Sequence, residues 1–214
     1  MVTKEVNLSL SPNLEFAKLA TDARIQNVSR ALEANGIKVV VAETAEEAKQ
    51  IVLNLVPQGV EVYANLSKTL EVMGLAEEFD QSGRYNAVRP KVLLLDRKTQ
   101  ADEIRKLRTI PEYIVGSVHA ITEAGEVITA SGTGSQISSY AYGAGKVIWV
   151  AGTQKIVSDL NEGFRRTREY SQRLEDARMQ QAYGINSSLN KTLVITRDMP
   201  GRITLVLVKE NIGF

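Results

Sequence analysis

The chain has 214 residues, with 26 Lys and Arg against 25 Asp and Glu, and its formal net charge at pH 7 is +1. This balance gives no reason to expect binding to nucleic acid or to anionic membranes, and no apolar run approaches the ~20 residues that span a bilayer. The chain has no cysteine and a single histidine, which excludes disulfides and thiolate-bound clusters and argues against an intrinsic zinc site. Its N-terminus lacks the basic end and apolar core of a signal peptide, so we expect a cytoplasmic, metal-free protein.

The first third of the chain predicts helices and strands in alternation. Ser11 and Pro12 are typical of a helix start, and the apolar spacing predicts one helix from there to a stop at Asn35-Gly36. The β-branched run at 37–42 is typical of a strand covered on both faces. A second helix over 44–56 and a strand over 60–65 follow.

The remaining elements continue this order with less regularity. Residues 89–98 are apolar and ambiguous between strand and loop. We predict short helices within 67–83 and a helix over 101–110, then strands at 112–118 and 126–131, a helix from 135, a strand at 146–152, a helix over 158–184, and strands at 192–197 and 203–210. The order indicates an α/β fold with a mainly parallel sheet sandwiched by helices. We interpret residues 1–214 as one domain, with a flexible N-terminus at 1–10.

The stretch at 116–136, GSVHAITEAGEVITASGTGSQ, is the strongest candidate for a ligand site. Gly132 and Gly134 would let the backbone approach an anion closely, and Ser131, Thr133 and Ser135 would add hydroxyl donors. Backbone N–H groups of such a turn bind phosphate or carboxylate when a helix follows. The alternative is a tight turn whose Ser or Thr only caps that helix. The dinucleotide fingerprint and the Walker A motif both fail here, since Ile137 and Tyr140 replace the glycines that they require.

Three ionisable residues are further candidates. Glu123, at the tip between two strands, could be a general base, a nucleophile or a solvated turn residue. His119 lies four residues before it and is either a catalytic partner or a structural histidine. Lys155 follows a buried strand, where α/β sheets present ligand-binding groups. The arginines within 165–173 alternate with acidic residues, which is typical of an ion-paired, exposed helix face.

The run GSVHAITEAGEVITASGTGSQISSYAYGAGKVIWVAGTQKIVSDL resembles the core of the LUD-domain, or lactate-utilisation, family. Two further segments resemble its short single-domain members: the C-terminal run from LEDARMQQAYG to Phe214, and a Ser-x-Thr-Leu-x-x-x-Gly motif formed by Ser67, Thr69, Leu70 and Gly74. The resemblance covers nearly the whole chain. Before this motif many relatives have a glycine pair, whereas this chain has Ala64-Asn65-Leu66, which would change the ligand if that loop contacts it.

This resemblance implies a fold of the NagB/RpiA/CoA-transferase-like group, in which similar turns hold the phosphate of a sugar phosphate. It implies a ligand-binding or accessory protein of lactate or organic-acid utilisation, without an intrinsic cofactor, beside partners that carry iron–sulfur clusters. We expect the ligand, an unidentified small anion such as a phosphate, a carboxylate or a CoA ester, to contact Ser67, Thr69, residues 131–135 and Lys155.

Two alternatives remain open. One is a sugar-phosphate isomerase or acyl-CoA transferase that uses Glu123, with His119 beside it. The other is a non-catalytic scaffold for redox partners, with the 165–173 helix face as its interface. Assembly into a homo-oligomer is also open.

Overall fold

The computed structural model describes residues 11–214, and the expectation of a flexible segment at 1–10 lies outside these residues. Ten strands are found in the described part: β1 Lys38–Ala42, β2 Glu61–Ala64, β3 Asn86–Ala87, β4 Tyr113–Gly116, β5 Ala120–Thr122, β6 Val127–Ser131, β7 Lys146–Gly152, β8 Ile156–Val157, β9 Lys191–Ile195 and β10 Ile203–Val208. Eight α-helices accompany them: α1 Asp22–Ala34, α2 Ala45–Leu55, α3 Lys68–Val72, α4 Leu75–Gln81, α5 Val88–Leu93, α6 Ala101–Thr109, α7 Leu160–Arg166 and α8 Gln172–Tyr183.

The strands form two sheets. The first has six strands in the order β1-β10-β7-β4-β2-β3, and every neighbouring pair is parallel. The second has four strands in the order β8-β5-β6-β9, in which β6 is antiparallel to both of its neighbours. The predicted α/β class with a mainly parallel sheet flanked by helices is confirmed, whereas the second sheet was not predicted.

Strand β7 lies inside the six-stranded sheet and separates two hydrophobic cores. Val147, Trp149 and Ala151 point to the side that holds α1 and α5, together with one face of the smaller sheet. Ile148 and Val150 point to the side that holds α2, α3 and α4. A third core lies between the other face of the smaller sheet and the helices α7 and α8. The assignment of residues 1–214 to a single domain stays a prediction.

The predicted start of the first helix at Ser11 is wrong. A short 3-10 turn, Leu14–Ala17, comes first, and α1 begins only at Asp22, where the Thr21 hydroxyl accepts a hydrogen bond from the Arg24 N–H. The intervening segment is tied down elsewhere, because the Asn13 backbone and side chain both donate to Glu169. Phe16 is buried in the third core.

Two apolar runs also differ from their sequence interpretation. The run at 37–42 is strand β1, but in the described part of the chain it pairs only with β10, and Val41 is 38% exposed at this edge of the sheet. The run at 89–98 is not a strand: its first half belongs to helix α5, and its second half, 94–98, is a loop. Val88 and Val92, four residues apart, are buried, whereas Leu94 is 87% exposed.

The helical segments around the candidate site are irregular. The helix expected from Ser135 is short: it begins at residue 137 and continues into a π-helical turn, Ser139–Gly143. The long helix predicted at 158–184 is present, but a π-helical stretch, Thr167–Ser171, joins α7 to α8. Such π-helical turns inside helices occur frequently at functional sites. Within residues 11–214, no helix combines the length and the apolar character that a membrane span requires.

Candidate functional site

Lys155 lies just after β7, at the edge where the parallel strands end. It is 1% exposed, and its Nζ lies 3.3 Å from Thr69 Oγ1, 3.0 Å from Ser117 Oγ and 3.0 Å from the Val118 carbonyl oxygen. These partners come from α3 and from the residues after β4, so three separate chain segments meet at one amine. Burial lowers the pKa of Lys155 well below its ordinary value, and the positive charge of Arg166 lowers it further.

The hydroxyl groups around Lys155 have defined roles. Ser117 Oγ donates to the Val150 carbonyl oxygen over 2.7 Å, and it accepts a hydrogen bond of 3.2 Å from Thr69 Oγ1. The Ser67 hydroxyl accepts the Leu70 N–H and caps the start of α3. Thr69 is therefore part of the polar cluster at Lys155, whereas Ser67 fixes the helix that presents it.

Arg166 is a second buried cation and is 0% exposed. Its Nε donates to the Gln154 carbonyl oxygen over 3.2 Å, and its Nη1 donates to the Ser171 hydroxyl and to the His119 carbonyl oxygen. Its guanidinium also lies 5.0 Å from the centre of the Tyr170 ring. Burial lowers the pKa of Arg166 to about 10. Among the described residues, Nη2 has no hydrogen-bond partner.

His119 is close to both of these side chains, because Arg166 donates to its carbonyl oxygen and Lys155 Nζ contacts the carbonyl oxygen of Val118 before it. Its Nδ1 accepts the Ala130 N–H over 3.1 Å, so a neutral ring carries its proton on Nε2. The ring retains some accessible surface but is packed closely by protein atoms, and this desolvation lowers its pKa to about 3. The charges of Lys155 and Arg166 act in the same direction. His119 is therefore neutral at physiological pH and can donate a hydrogen bond to an anion.

The Gly-rich turn follows β6 and uses several of its donors internally. The Gly134 N–H donates to the Ser131 hydroxyl over 2.8 Å, and the Ser135 N–H donates to the Thr133 hydroxyl. Gly134 has a φ of +87°, and a Cβ on it would lie 2.7 Å from Cδ of Lys191. Because these donors are used inside the turn, it is less open to an anion than its sequence suggested. The side chain of Lys191 passes over the turn and places a basic group beside it.

The turn and the Lys155 cluster are linked through Tyr140. This tyrosine is buried in the π-helical turn, and its hydroxyl lies 3.5 Å from the Ser117 carbonyl oxygen. Burial raises the pKa of Tyr140 above its ordinary value, although a hydrogen bond to Asn65 opposes the rise. Asn65 belongs to the loop whose sequence departs from many relatives, and it is 8% exposed. That loop therefore borders the cluster.

Glu123 lies apart from these groups. It follows β5, whereas His119 precedes that strand, so the two residues are about 13 Å apart along an extended chain. The Glu123 carboxylate is 49% exposed and pairs with Arg24 Nε over 2.6 Å. The structure brings His119, Lys155, Thr69 and the Gly-rich turn to one edge but does not bring Glu123 to them.

Two surface cavities of about 270 Å³ and 240 Å³ lie outside the Lys155 cluster. The larger one is bordered by Phe16, Arg24, Gln154 and Glu162, and the smaller one by Glu33 and its neighbours. Neither includes Lys155, which agrees with its near-complete burial. Among residues 11–214, no group of three or more His, Cys, Asp or Glu side chains is arranged to hold a metal ion.

Arg166 and Ser117 were not predicted as site residues. The charge pattern placed Arg166 on an exposed, ion-paired helix face, which is wrong, and Ser117 was not singled out. Arg165 is an exposed residue that pairs with Glu169, as the charge pattern indicated, but Arg166 next to it points into the protein. A difference of one position along a helix rotates a side chain by about 100°, and the residue types alone carry no signal of it.

Comparison with known proteins agrees with the fold. A DUF162 family protein from Deinococcus radiodurans aligns with a TM-score of 0.55 at 11% identity, over 89% of this chain and 99% of that one. eIF2B delta from Chaetomium thermophilum aligns with a TM-score of 0.33 at 15% identity, over 68% of this chain and 57% of that one, too weakly to support an argument. No curated protein sequence matches the chain. The sequence matches the LUD domain family over residues 25–208, which is most of its length. The chain belongs to the LUD-domain family.

Proposed function

We propose that this lactate-utilisation-related protein binds a small anion at the basic cluster formed by Lys155, Thr69, Ser117 and His119. One observation carries the proposal: Lys155 is a buried amine without a carboxylate partner among the described residues. None of the ion pairs within 4.0 Å in the described part of the chain involves it. A buried amine without a counter-charge is held in its neutral form, and an anion that binds beside it would restore its charge, so the site suits an anion.

The neighbouring groups suit a carboxylate or a phosphoryl group. The hydroxyls of Thr69 and Ser117 and the Nε2–H of His119 are neutral hydrogen-bonding groups beside the amine. An anion that enters favours the protonated amine and raises its pKa again. The Gly-rich turn and Lys191 lie at the same end of β6 as His119, and they would hold a second charged part of a larger ligand such as a CoA ester.

The position of these residues in the six-stranded sheet also supports an anion site at Lys155. In open α/β sheets, ligands bind beyond the carboxyl ends of the strands. Lys155 follows β7, Ser117 follows β4, and Asn65 follows β2, which are neighbouring strands of the six-stranded sheet. The proposed role is that of a ligand-binding or accessory subunit: among the described residues no carboxylate pairs with the amine, and the Ser117 hydroxyl beside it donates to the Val150 carbonyl oxygen.

Thermal-shift titration tests the proposal with defined probes: lactate, pyruvate, inorganic phosphate, ribose 5-phosphate and acetyl-CoA. A ligand at 100 times its Kd adds about 2.7 kcal/mol to the free energy of unfolding, which raises the midpoint visibly. The comparison is Lys155→Met against Lys146→Met, since Lys146 begins the same strand and donates to the Gly201 carbonyl oxygen at the far edge. We expect the shift to be lost only in Lys155→Met. An equal shift in both variants would place the anion elsewhere.

The two other roles remain proposals with separate tests. If the protein is an isomerase or an acyl-CoA transferase that uses Glu123, Glu123→Gln should abolish turnover of ribose 5-phosphate or an acyl-CoA, and a covalent glutamyl-CoA adduct should form. If it supports iron–sulfur redox partners through residues 165–173, those partners should co-purify with the wild type and be lost when Arg165 and Glu169 are exchanged.

A further inference from the structure

The residues after β10 cross the carboxyl edge of the sheet and reach the Lys155 cluster. Asn211 Nδ2 donates to the Ala17 carbonyl oxygen over 2.9 Å, and Gln154 Nε2 donates to the Ile212 carbonyl oxygen over 3.0 Å. Ile212 is buried in the core on the α2 side of the sheet, and Phe214 packs against the core between the smaller sheet and α7–α8. We call residues 211–214 the terminal segment.

Gly213 brings this segment directly against a partner of Lys155. It has a φ of +63°, and a Cβ built on it would overlap the Thr69 hydroxyl and lie 2.8 Å from the Thr69 nitrogen. Only glycine allows so close an approach in this backbone conformation. Thr69 in turn contacts Lys155 Nζ, so the terminal segment lies one side chain away from the amine.

The groups under the terminal segment are polar and incompletely satisfied. Gln154 connects both sides, because its side chain holds Ile212 while its carbonyl oxygen accepts from Arg166. Arg166 is fully buried and its Nη2 lacks a partner within residues 11–214. Like Lys155, it takes part in none of the ion pairs of the described residues. A buried guanidinium and a buried amine, both without a carboxylate partner among the described residues, and the free donor Arg166 Nη2 form a built site for an anion.

We infer that Lys155 and Arg166 form a covered anion subsite and that the terminal segment, residues 211–214, is its cover. A carboxylate or phosphate group enters when this segment moves aside, and it is held by Arg166 Nη2 and Lys155 Nζ. This inference deepens the proposed function and rests on it for the ligand, but the cover itself can be tested without any ligand. Few contacts hold the segment: two side-chain hydrogen bonds, Ile212 and the half-buried Phe214. Local opening of such a segment costs less than global unfolding.

Lysine labelling measures the cover directly. The protein is treated briefly with formaldehyde and a borane reductant, and methylation at each lysine is followed by peptide mass spectrometry. In the wild type we expect Lys155 to react at least ~10-fold more slowly than the exposed Lys18 and Lys98, since reaction requires local opening. In Phe214→Ala we expect Lys155 to react several-fold faster, with Lys146 unchanged as the internal control. A chain that ends at Asn211 should make Lys155 nearly as reactive as the surface lysines.

The two variants keep the test decisive. If the shortened chain loses its fold, all lysines react together, and Phe214→Ala, which removes one half-buried side chain, still reports on the cover. If Lys155 stays as protected in a folded variant as in the wild type, the terminal segment is not the cover. Titration of inorganic phosphate and lactate into Phe214→Ala separates the proposal of an anion site at Lys155 from the proposal that residues 211–214 cover it. Exposure of Lys155 without any binding overturns the anion proposal alone, whereas binding without exposure overturns the cover.

Discussion

Replacement of His119 by Asn should remove the part of the stability loss in mild acid that comes from protonation of this histidine in the unfolded chain. His119 is the only histidine of the chain, and its pKa in the folded protein is about 3, whereas an unfolded histidine has a pKa of about 6.5. Between pH 3 and pH 6.5, His119 is therefore mostly protonated in the unfolded chain and mostly neutral in the folded protein. The free energy of unfolding therefore falls as the pH falls from about 6.5 towards 3, and the contribution is fully present only above 6.5.

The size of the effect follows from the two pKa values. Integration of the proton difference from pH 7 to pH 5 gives a loss of about 2 kcal/mol in the free energy of unfolding. Below about pH 6 this loss approaches its limiting slope of about 1.4 kcal/mol per pH unit. The folded ring stays neutral throughout this window, so a folded pKa of 4 in place of 3 would change the loss by only about 0.1 kcal/mol. Asn places an oxygen where Nδ1 accepts the Ala130 N–H, so the variant keeps that hydrogen bond.

Urea unfolding of both proteins at pH 5, 6 and 7 measures the effect. We subtract the free energy of unfolding of His119→Asn from that of the wild type. We expect this difference to fall by about 2 kcal/mol from pH 7 to pH 5. Carboxylates titrate equally in both proteins and cancel in the difference. Parallel pH profiles would refute the reasoning, because they would mean that the folded protein protonates His119 as readily as the unfolded chain does.

Four further substitutions test the packing around the site, each by urea unfolding at pH 7. Arg165→Ala should change the free energy of unfolding by less than about 0.5 kcal/mol, whereas Arg166→Ala should cost about 3 kcal/mol or more, because it leaves two buried carbonyl oxygens without donors. Equal effects would mean that Arg166 is not buried as described. Gly116→Ala should cost about 1–3 kcal/mol, since its Cβ would overlap the Tyr140 hydroxyl, and a neutral result would contradict that contact. Gly134→Val should cost about 1–3 kcal/mol through its positive φ alone, and wild-type stability would show that the turn is not left-handed there.

The overall fold was largely predictable because its signals are local. The strand at 146–152 is apolar from Val147 onward, and it lies inside the parallel sheet with buried residues on both faces. The secondary-structure predictions were wrong where tertiary contacts decide the conformation. Ser11-Pro12 has the composition of a helix start, but Asn13 is held by Glu169, which lies 156 residues further along the chain.

The candidate site could be predicted only in part. Lys155 was identified because polar residues after a buried strand reach the carboxyl edge of a sheet. Glu123 was paired with His119, four residues before it, yet strand β5 carries Glu123 away from that edge, and its ion-pair partner Arg24 is 99 residues distant. Sequence also gave no indication that Gly213 would lie against Thr69, because that contact joins residues far apart in the chain.

The most direct test of the account is calorimetric titration of inorganic phosphate and of lactate into the wild type and into Lys155→Met, with Lys146→Met as the matched control. The account predicts that at least one of the two anions binds to the wild type and to Lys146→Met. It also predicts that Lys155→Met loses this binding while remaining folded. Binding that survives in folded Lys155→Met, or the absence of binding even in Phe214→Ala with its loosened terminal segment, would contradict an anion site at Lys155.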